Sequence, residues 1–379
     1  MTHLINNIIY ISPESYILYY MPMKRSFLFL ALVASFVATS RAHDFSVTLG
    51  GSTIYFKITD SKAHTACLTY RGNIADHNPP TCTGTVRIPS TVRHDGAVYT
   101  INAIGPKALA GADRLEGIII PESVKQIGDF AFEGCTSLRS VAMPTAQPQM
   151  GQGTFFRCTS IADINFGTNW TSIDFTAFRW SDSLVSVSIP AKVERIQGLK
   201  TLRRLRHINV HSSNKQYASH SGCLYSTTRH TLLCVPRAYT DTLCVEEGTT
   251  AIMWGSIIDC TDITSVILPA SVRQLSFREF SRMTRLQSLT IMCESPLLTA
   301  NYEGRNTTAL AVANNGVMLF VPKASVKAWR KALISIEGDY YDIVDQRPQS
   351  LSLQDAAKPH HFGKPQLLQS NHIKAIKTK

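Results

Sequence analysis

The apolar positions of this chain recur with a period of about 23 residues. The clearest unit, residues 115–137, is apolar at its first, fourth and sixth positions, has proline at the seventh, and ends in Ala-Phe-x-x-Cys-Thr-Ser. Units in the same register begin at Leu138, Ile161, Leu184, Leu205, Thr240, Ile263 and Leu286, and a divergent unit begins near residue 84. The sequence therefore predicts about nine repeat units between residues 84 and 296.

Each unit has the pattern of one coil of a solenoid. Alternating apolar residues at the fourth and sixth positions predict a short strand with one buried face. Proline then ends the strand because it has no N–H for the ladder. Valine and isoleucine at positions ten and thirteen are expected to anchor the segment that leads back toward the next coil. The Ala-Phe-x-x-Cys segment is typical of a short helical turn. A single coil cannot bury its apolar face, so we expect the coils to stack into a repeat solenoid.

These units resemble the BspA-type leucine-rich repeat family over about residues 80–335, and unit 115–137 is nearly the family consensus. The resemblance includes the start near Gly84, a hairpin insertion near 212–239, and a closing Leu319-Phe-Val-Pro segment. Residues 196–204 and Met253-Trp254 depart from the consensus. The resemblance implies a leucine-rich-repeat-like fold and a secreted or surface protein of host-associated microbes, with adhesion or protein-binding roles and no catalytic residues.

The ends of the repeat region have the patterns of caps. Residues 45–58 alternate around Gly50-Gly51, which predicts a β-hairpin within an N-terminal β cap, 43–83. In a mixed strand and helix cap at 297–345, Ser325 is placed to N-cap a helix through Ala332 with Val326, Trp329 and Leu333 on one face. The polar composition of 346–379 indicates a disordered basic tail.

Residues 1–42 are interpreted as a signal region. Lys24-Arg25 precedes the apolar run 26–38 and the small-x-small exit Ser40-Arg41-Ala42, which predicts cleavage before His43. The run is shorter than the roughly 20 residues that span a bilayer. The biological start is then Met21 or Met23, with a long leading region as the alternative. We expect a mature chain without a transmembrane helix, secreted or on the extracellular cell surface.

Composition narrows the class of function. The apolar fraction of 44% is ample for a core and argues against a disordered chain. The net charge of +11 falls to about +4 between residues 43 and 345, because most of the excess lies at the ends. This charge balance does not support nucleic-acid binding. The basic run also lacks the interleaved aromatic residues that line the grooves of proteins that bind single-stranded nucleic acids.

The nine cysteines suggest packing more than chemistry. Cys135, Cys158 and Cys260 occupy the same position of different coils, and buried small hydrophobes are the favoured interpretation. A disulfide between Cys135 and Cys158 is an alternative interpretation, as are disulfides between Cys67 and Cys82 and between Cys223 and Cys234. No spacing resembles a zinc site, so no metal and no cofactor are predicted.

Two surfaces are candidate binding sites. The first is a basic run that contains one acid, Glu194; a solvated edge is the alternative interpretation of this run. Its residues are Lys192, Arg195, Lys200, Arg203, Arg204, Arg206 and His207, with Arg273, Arg278, Arg282 and Arg285 recurring in later coils. It is suited to an acidic partner. The second is the outward sheet face, where Asp163, Asn165, His207 and Asn209 stand among small polar residues. Trp180 takes a position held elsewhere by Gly134 and Arg157, which suggests exposure.

The sequence thus predicts a non-catalytic protein that binds a host or microbial surface protein or an acidic glycan. A structural envelope-associated scaffold without a specific ligand is the alternative. An enzyme is disfavoured because His207 and His211 lie on a strand and its loop, and no nucleophile or paired-carboxylate signature accompanies them.

Overall fold

The computed structural model describes most of the repeat region. The described residues are 42–72, 81–227, 230–276, 279–280, 282–295, 298–300, 306–307, 311–312, 317–329, 366–367 and 373–376. The predicted signal region, except Ala42, and most of the predicted tail lie outside them. Within the described residues, no helix is long and apolar enough to cross a membrane.

Short strands dominate the fold. The first third contains β1 (Phe45–Leu49), β2 (Ser52–Asp60), β3 (Thr65–Thr69), β4 (Gly84–Arg87), β5 (Thr91–His94), β6 (Ala97–Ile104), β7 (Leu115–Ile119) and β8 (Gln126–Ile127). The middle contains β9 (Ser140–Ala142), β10 (Gln149–Met150), β11 (Asp163–Asn165), β12 (Ser172–Asp174), β13 (Ser186–Ile189), β14 (Arg195–Gln197) and β15 (His207–Val210), with 3₁₀ helices η1 (Phe175–Phe178) and η2 (Leu199–Thr201).

The remainder begins with a hairpin insertion and returns to coils. Its strands are β16 (Tyr217–His220), β17 (Cys223–Ser226), β18 (Thr231–Cys234), β19 (Asp241–Cys244), β20 (Ala251–Ile252), β21 (Ile263–Leu268), β22 (Gln274–Ser276), β23 (Ser288–Ile291), β24 (Leu298–Ala300), β25 (Asn306–Thr307), β26 (Ala311–Val312), β27 (Met318–Pro322), β28 (Gln366–Leu367) and β29 (Ile373–Ile376), with η3 (Lys323–Ser325) before β28.

The coils stack through two parallel ladders, which confirms the predicted solenoid. In the first ladder β7, β9 and β11 pair in parallel, with Ile118 opposite Val141 and Val141 opposite Ile164. The second ladder joins β6, β8 and β10. About eight turns recur at about 23-residue spacing. The sequence count is higher because it includes the divergent unit from residue 84, which carries the β5–β6 hairpin.

The N-terminal cap has the predicted hairpin. β1 pairs antiparallel with β2, with Leu49 opposite Ser52. Gly50 and Gly51 both have positive φ, at 55° and 83°, the left-handed backbone that a two-residue hairpin turn requires. β3 follows antiparallel to β2 and pairs in parallel with β6. The hairpin therefore extends the second ladder and covers its first coil.

Both ladders are interrupted twice, which divides the solenoid into three blocks. The first block contains β4, β7, β9 and β11 with β6, β8 and β10; the middle block contains β12 to β15; the last begins at β18 and β19. The first break lies at 166–171, between β11 and β12. There the Gln147 side chain accepts the N–H groups of Thr171 and Ser172, at 3.1 and 3.2 Å. The second break is the β16–β17 hairpin.

The core contains a ladder of aromatic rings at one position of successive coils. Phe132 stacks on Phe155 with ring centroids 4.8 Å apart, and Phe155 stacks on Phe178 at 4.9 Å. All three side chains are fully buried. The near-parallel rings follow from the coil repeat, because equivalent side chains lie one strand spacing apart, about 4.8 Å.

The cysteine position forms a second ladder, as predicted. The Sγ atoms of Cys135 and Cys158 donate to the carbonyls of Leu109 and Phe132, at 3.2 and 3.0 Å. Cys260, also buried, makes the same kind of contact with Val235. All nine cysteines are free thiols, so none of the disulfide alternatives is realised. Burial raises the pKa of Cys260 to about 11, which keeps this thiol protonated and unreactive at neutral pH.

The C-terminal end differs from two predictions. The helical residues 326–329 start directly after Ser325, as predicted, but η3 precedes them and the buried Ser325 Oγ has no hydrogen-bond partner among the described residues, so Ser325 does not cap the helix. The helical turn continues through 326–329, and Trp329 is fully buried as expected. The prediction of disorder for 346–379 is wrong at two places, since β28 pairs with β26 and β29 pairs in parallel with β27.

Candidate ligand-binding surface

The predicted site residues fall in two blocks. Asp163 and Asn165 lie on β11 of the first block. The other eight lie in the middle block: Trp180, Lys192, Arg195, Arg203, Arg204, Arg206, His207 and Asn209. These eight residues lie on different sides of the coils. The basic run, although continuous in sequence, therefore does not form one continuous surface.

Lys192 and Arg195 lie apart from the other bases. Lys192 is in the corner after β13, where its Nζ donates to Asn169 Oδ1 at 2.7 Å. Arg195 is exposed on β14, in the second ladder, where it lies opposite Ser172. Arg203 and Arg204 follow η2, in the turn that closes the coil before β15. The predicted basic run therefore separates into two groups.

An aromatic side chain fixes one of the closing-turn arginines. The Arg203 guanidinium carbon lies 3.8 Å from the centroid of the Trp180 ring, one coil earlier. Such a cation–π stack orients the planar guanidinium and leaves its in-plane N–H donors available. Trp180 is half-buried, and the Arg203 guanidinium covers its ring. The surface at this point is therefore charged and not apolar.

Trp180 adopts a backbone conformation that favours glycine. Its φ is +66°, and Gly134 and Arg157 at the same position of the two preceding coils have φ of +69° and +59°. For a residue with a Cβ, this left-handed conformation costs about 1–2 kcal/mol. The coil repeat thus imposes this conformation, and Arg157 and Trp180 occupy it despite the cost.

We call the surface formed by Arg157, Trp180, Arg203, Arg204 and Arg206 the basic corner. Its four arginines are exposed. Arg157 adjoins the Trp180 coil through its backbone N–H, which donates to the Arg179 carbonyl at 3.1 Å. Among the described residues, no carboxylate lies within ion-pair distance of these four arginines. The corner therefore contains four exposed arginines that form no direct ion pair with a described acid, and Asp182 is the acid that follows Trp180 in the same closing turn.

The later arginines of the predicted basic edge behave differently. Arg282 pairs with Asp259 at 2.9 Å, and Arg285 pairs with Asp262 at 3.4 Å, each one coil away. Arg273 donates to the carbonyl of Val272 at 3.1 Å. The side chain of Arg278 lies outside the described residues. Arg282 and Arg285 therefore tie coils together and do not extend the basic corner.

The polar sheet face is discontinuous. Asp163 and Asn165 belong to the sheet of β4, β7, β9 and β11, whereas His207 and Asn209 belong to the separate β13–β15 pair. All four side chains are exposed. Asn209 Nδ2 donates to Ser186 Oγ at 3.1 Å, so part of its hydrogen-bonding capacity is used between coils.

Sequence reasoning missed the interior role of Lys200. Its Nζ donates to the carbonyls of Val235 and Ile258, at 2.8 and 3.3 Å, in the following coils. Lys200 thus lies where the apolar core divides, near the hairpin insertion, and is not part of the basic surface. Its neighbours Leu199 and Leu202, both buried, were the available signal.

A buried carboxylate faces the same turn. Glu279, 1% exposed, accepts the backbone N–H groups of Gly255 and Ile257 from the preceding coil. Burial raises the pKa of Glu279 to about 7, against these hydrogen bonds and the charge of Lys200, which lower it. The equivalent position holds Ala131, Thr154 and Ala177, so a glutamate there was detectable in the sequence. The turn that it holds presents Trp254, which is 63% exposed.

Among the described residues, no group of three or more histidine, cysteine or acidic side chains is placed to hold a metal ion. His220 and Glu246 form an isolated pair 3.8 Å apart beside the hairpin. The described polar clusters instead connect successive coils.

Three solved structures are among those similar to this chain. A leucine-rich cell surface protein from Faecalibacterium prausnitzii is 18% identical, with 74% of this chain and 86% of that chain covered and a TM-score of 0.37. The pneumococcal vaccine antigen PcpA is 15% identical, with 78% and 96% covered and a TM-score of 0.40. A leucine-rich repeat protein of Treponema pallidum is 21% identical, with 62% and 87% covered and a TM-score of 0.36. No curated protein matches the sequence significantly.

The repeats themselves identify the family. Six copies of the BspA-type leucine-rich repeat region match residues 100–223 and 241–300, the same coils that form the two ladders. The chain therefore belongs to the BspA-type leucine-rich repeat family.

Proposed function

We propose that this protein is a non-catalytic, exported leucine-rich repeat protein that binds a protein or glycan at a cell surface and mediates adhesion. The observation that carries the proposal is the basic corner. Trp180 stacks on Arg203 at 3.8 Å, and the exposed Arg204 and Arg206 follow Arg203 in the chain and form no ion pair with a described acid. Uncompensated exposed charge on a rigid frame is suited to recognition of an acidic partner.

Export is supported by the N-terminal pattern. The basic pair Lys24-Arg25, the apolar run 26–38 and the small-residue exit before His43 have the organisation of a secretory signal. Because the structure starts its first strand at Phe45, cleavage before His43 would leave the N-terminal cap intact.

The buried ionisable groups support a structural interpretation over catalysis. Glu279 accepts two backbone N–H groups, and Lys200 donates to two carbonyls, all from neighbouring coils. Asp259 bridges Arg237 and Arg282. Glu279 and Lys200 thus satisfy backbone groups of neighbouring coils, and Asp259 ties two arginine side chains together, so each of these groups has a structural role.

An array of host-matrix proteins and glycans tests the proposal. We expect the mature chain, from His43, to bind at least one member well above an unrelated leucine-rich repeat protein of similar size. A charge-reversed control, with Arg203, Arg204 and Arg206 replaced by glutamate, should lose that signal. No binding above the unrelated control would contradict the proposal.

A structural envelope scaffold is the second candidate. It is favoured by the inter-coil pairs Arg282–Asp259 and Arg285–Asp262 and by the bland, hydrogen-bonded sheet face. This function predicts no selective ligand on the array. It also predicts association with isolated cell envelopes that is unchanged by the charge-reversed control.

A further inference from the structure

We propose that the basic corner binds a linear anionic polysaccharide, with Trp180 acting as a positioning residue for Arg203. The inference rests on the proposed function, since it names the ligand class of that surface. It requires that the corner form one continuous strip, that its donors be oriented, and that its chemistry fit a sugar polymer better than a protein.

The strip runs across coils, along the stacking direction. Arg157, Trp180 and Arg203 occupy the same region of three successive coils, linked by the Arg157–Arg179 backbone contact and the Arg203–Trp180 stack. Strands of neighbouring coils are about 4.8 Å apart, so the three residues extend over about 10 Å. Such a strip can follow an extended chain that carries charges at regular intervals.

The stack orients the donors of Arg203. A guanidinium lying flat on an indole directs its N–H groups outward in the ring plane, where they can grip a sulfate or carboxylate in two-point fashion. Arg204 and Arg206, which flank buried Leu205 just before β15, add two exposed positive charges to the same stretch of chain. Lysine at position 203 would keep the charge but lose the fork geometry.

The left-handed backbone of Trp180 makes a test of the stack possible. Arg157 and Asp259 share this conformation at the equivalent position of their coils, so it belongs to the coil repeat, and Gly134 shows that the coil closes there without a side chain. Glycine at position 180 should relieve the backbone while removing the support for Arg203.

The corner lacks the apolar centre that a protein partner would need. Protein interfaces centre on buried apolar or aromatic anchors ringed by polar residues. Here the indole face is covered by Arg203, and the exposed Val185, whose carbonyl accepts the backbone N–H of Arg206, is a single small apolar side chain. Charge, oriented donors and strip geometry therefore favour an anionic polysaccharide over an acidic protein.

The test measures binding of the mature chain to heparin, with hyaluronan, dextran and poly-glutamate as comparison probes. Heparin carries sulfates and carboxylates, hyaluronan carboxylates alone, and dextran no charge. We expect heparin binding that weakens steeply as salt rises, because exposed charges are screened over about 8–10 Å at physiological ionic strength. We expect no binding to dextran, and hyaluronan shows whether carboxylates suffice.

Variants separate the corner from general positive charge. Trp180→Gly and Arg203→Lys should each weaken heparin binding about tenfold, the scale of one lost charge-assisted hydrogen bond. Reversal of Arg203, Arg204 and Arg206 to glutamate should weaken it at least about 100-fold. The matched control, Lys192→Glu with Arg195→Glu in the same coil, should weaken it no more than about threefold, through long-range charge alone.

The thermal midpoint of each variant checks folding, and Arg203→Lys keeps the test decisive if Trp180→Gly fails to fold. Unchanged heparin affinity in Arg203→Lys and Trp180→Gly, or an equal loss in the Lys192 and Arg195 control, overturns the proposal. Poly-glutamate binding as tight as heparin also overturns it. If heparin does not bind while a protein on the array does, this inference fails and the proposed function stands.

Discussion

Replacing Phe155 by alanine tests whether the aromatic ladder holds the coils together. Phe155 lies at the centre of the ladder, with Phe132 on one side at 4.8 Å and Phe178 on the other at 4.9 Å. Its interplanar angles with them are 7° and 3°, so both faces of the ring are in contact. Phe132 lies before it in the ladder and is equally buried.

The magnitude follows from burial and from stacking. Truncating a buried phenylalanine costs about 3–5 kcal/mol of unfolding free energy. Each stacked pair contributes about 0.5–1.5 kcal/mol beyond burial. Phe155→Ala removes the Phe132 and Phe178 pairs together, whereas Phe132→Ala removes the pair with Phe155. We therefore expect Phe132→Ala in the lower part of the range and Phe155→Ala about 0.5–1.5 kcal/mol above it.

Urea denaturation followed by circular dichroism measures both variants. Phe155→Leu is the control for volume, since it keeps most of the bulk without the stack and should cost less than about 1.5 kcal/mol. The double variant Phe132→Ala with Phe155→Ala should be less destabilised than the sum of the singles by about the energy of their shared pair. A cost below about 1 kcal/mol for Phe155→Ala, or strict additivity, would refute the stacking argument.

Three further predictions concern other parts of the chain. The raised pKa of Glu279, about 7 in the fold against 4.5 unfolded, adds stability that is fully present below pH 4.5 and is lost as pH rises to about 7; the loss is at most roughly 3 kcal/mol. Glu279→Gln should flatten that slope in denaturation series between pH 4.5 and 8, and an unchanged slope would assign it to other groups. Exported protein should begin at or near His43 by intact-mass measurement, and retention of Met1 would contradict the signal prediction. Amide exchange should give three separate protection levels for the three blocks, fastest at 166–171 and 211–220; one uniform level would mean that the ladder breaks have no energetic effect.

The fold was predictable because its signal is repeated. A single Leu-x-x-Ile-x-Ile-Pro segment is ambiguous, but coils at Leu115, Leu138, Ile161 and Ile263 repeat the same apolar positions, and only stacking satisfies them together. The ladder breaks were not predictable in this way. At 166–171 the buried Trp170 keeps the apolar pattern, while the Gln147 side chain accepts the N–H groups of Thr171 and Ser172, a contact that no periodicity reports.

The site was less predictable for a geometric reason. A run such as Lys192 to Arg206 is continuous in sequence, yet a coil carries it through a corner, a second strand and a closing turn. Neighbours in space are one coil apart, as Trp180 and Arg203 are. A comparison of charged residues at equivalent positions of successive coils would have assigned Arg203 and Lys192 to different surfaces. The same comparison would have shown Glu279 at a position otherwise held by Ala131 and Thr154.

The division into blocks also bears on how such a chain can change its length. Within a block, duplication or loss of one whole coil leaves every remaining strand opposite an equivalent partner, and the phenylalanine and cysteine ladders close again. At 166–171 and at the hairpin, the strand contacts depend on particular side chains such as Gln147, so an inserted coil would break these contacts even though the core continues past the first break. Relatives of this protein should therefore vary in coil number inside the first and last blocks. The short middle block, with Trp180, Arg203, Arg204 and Arg206, should keep its length.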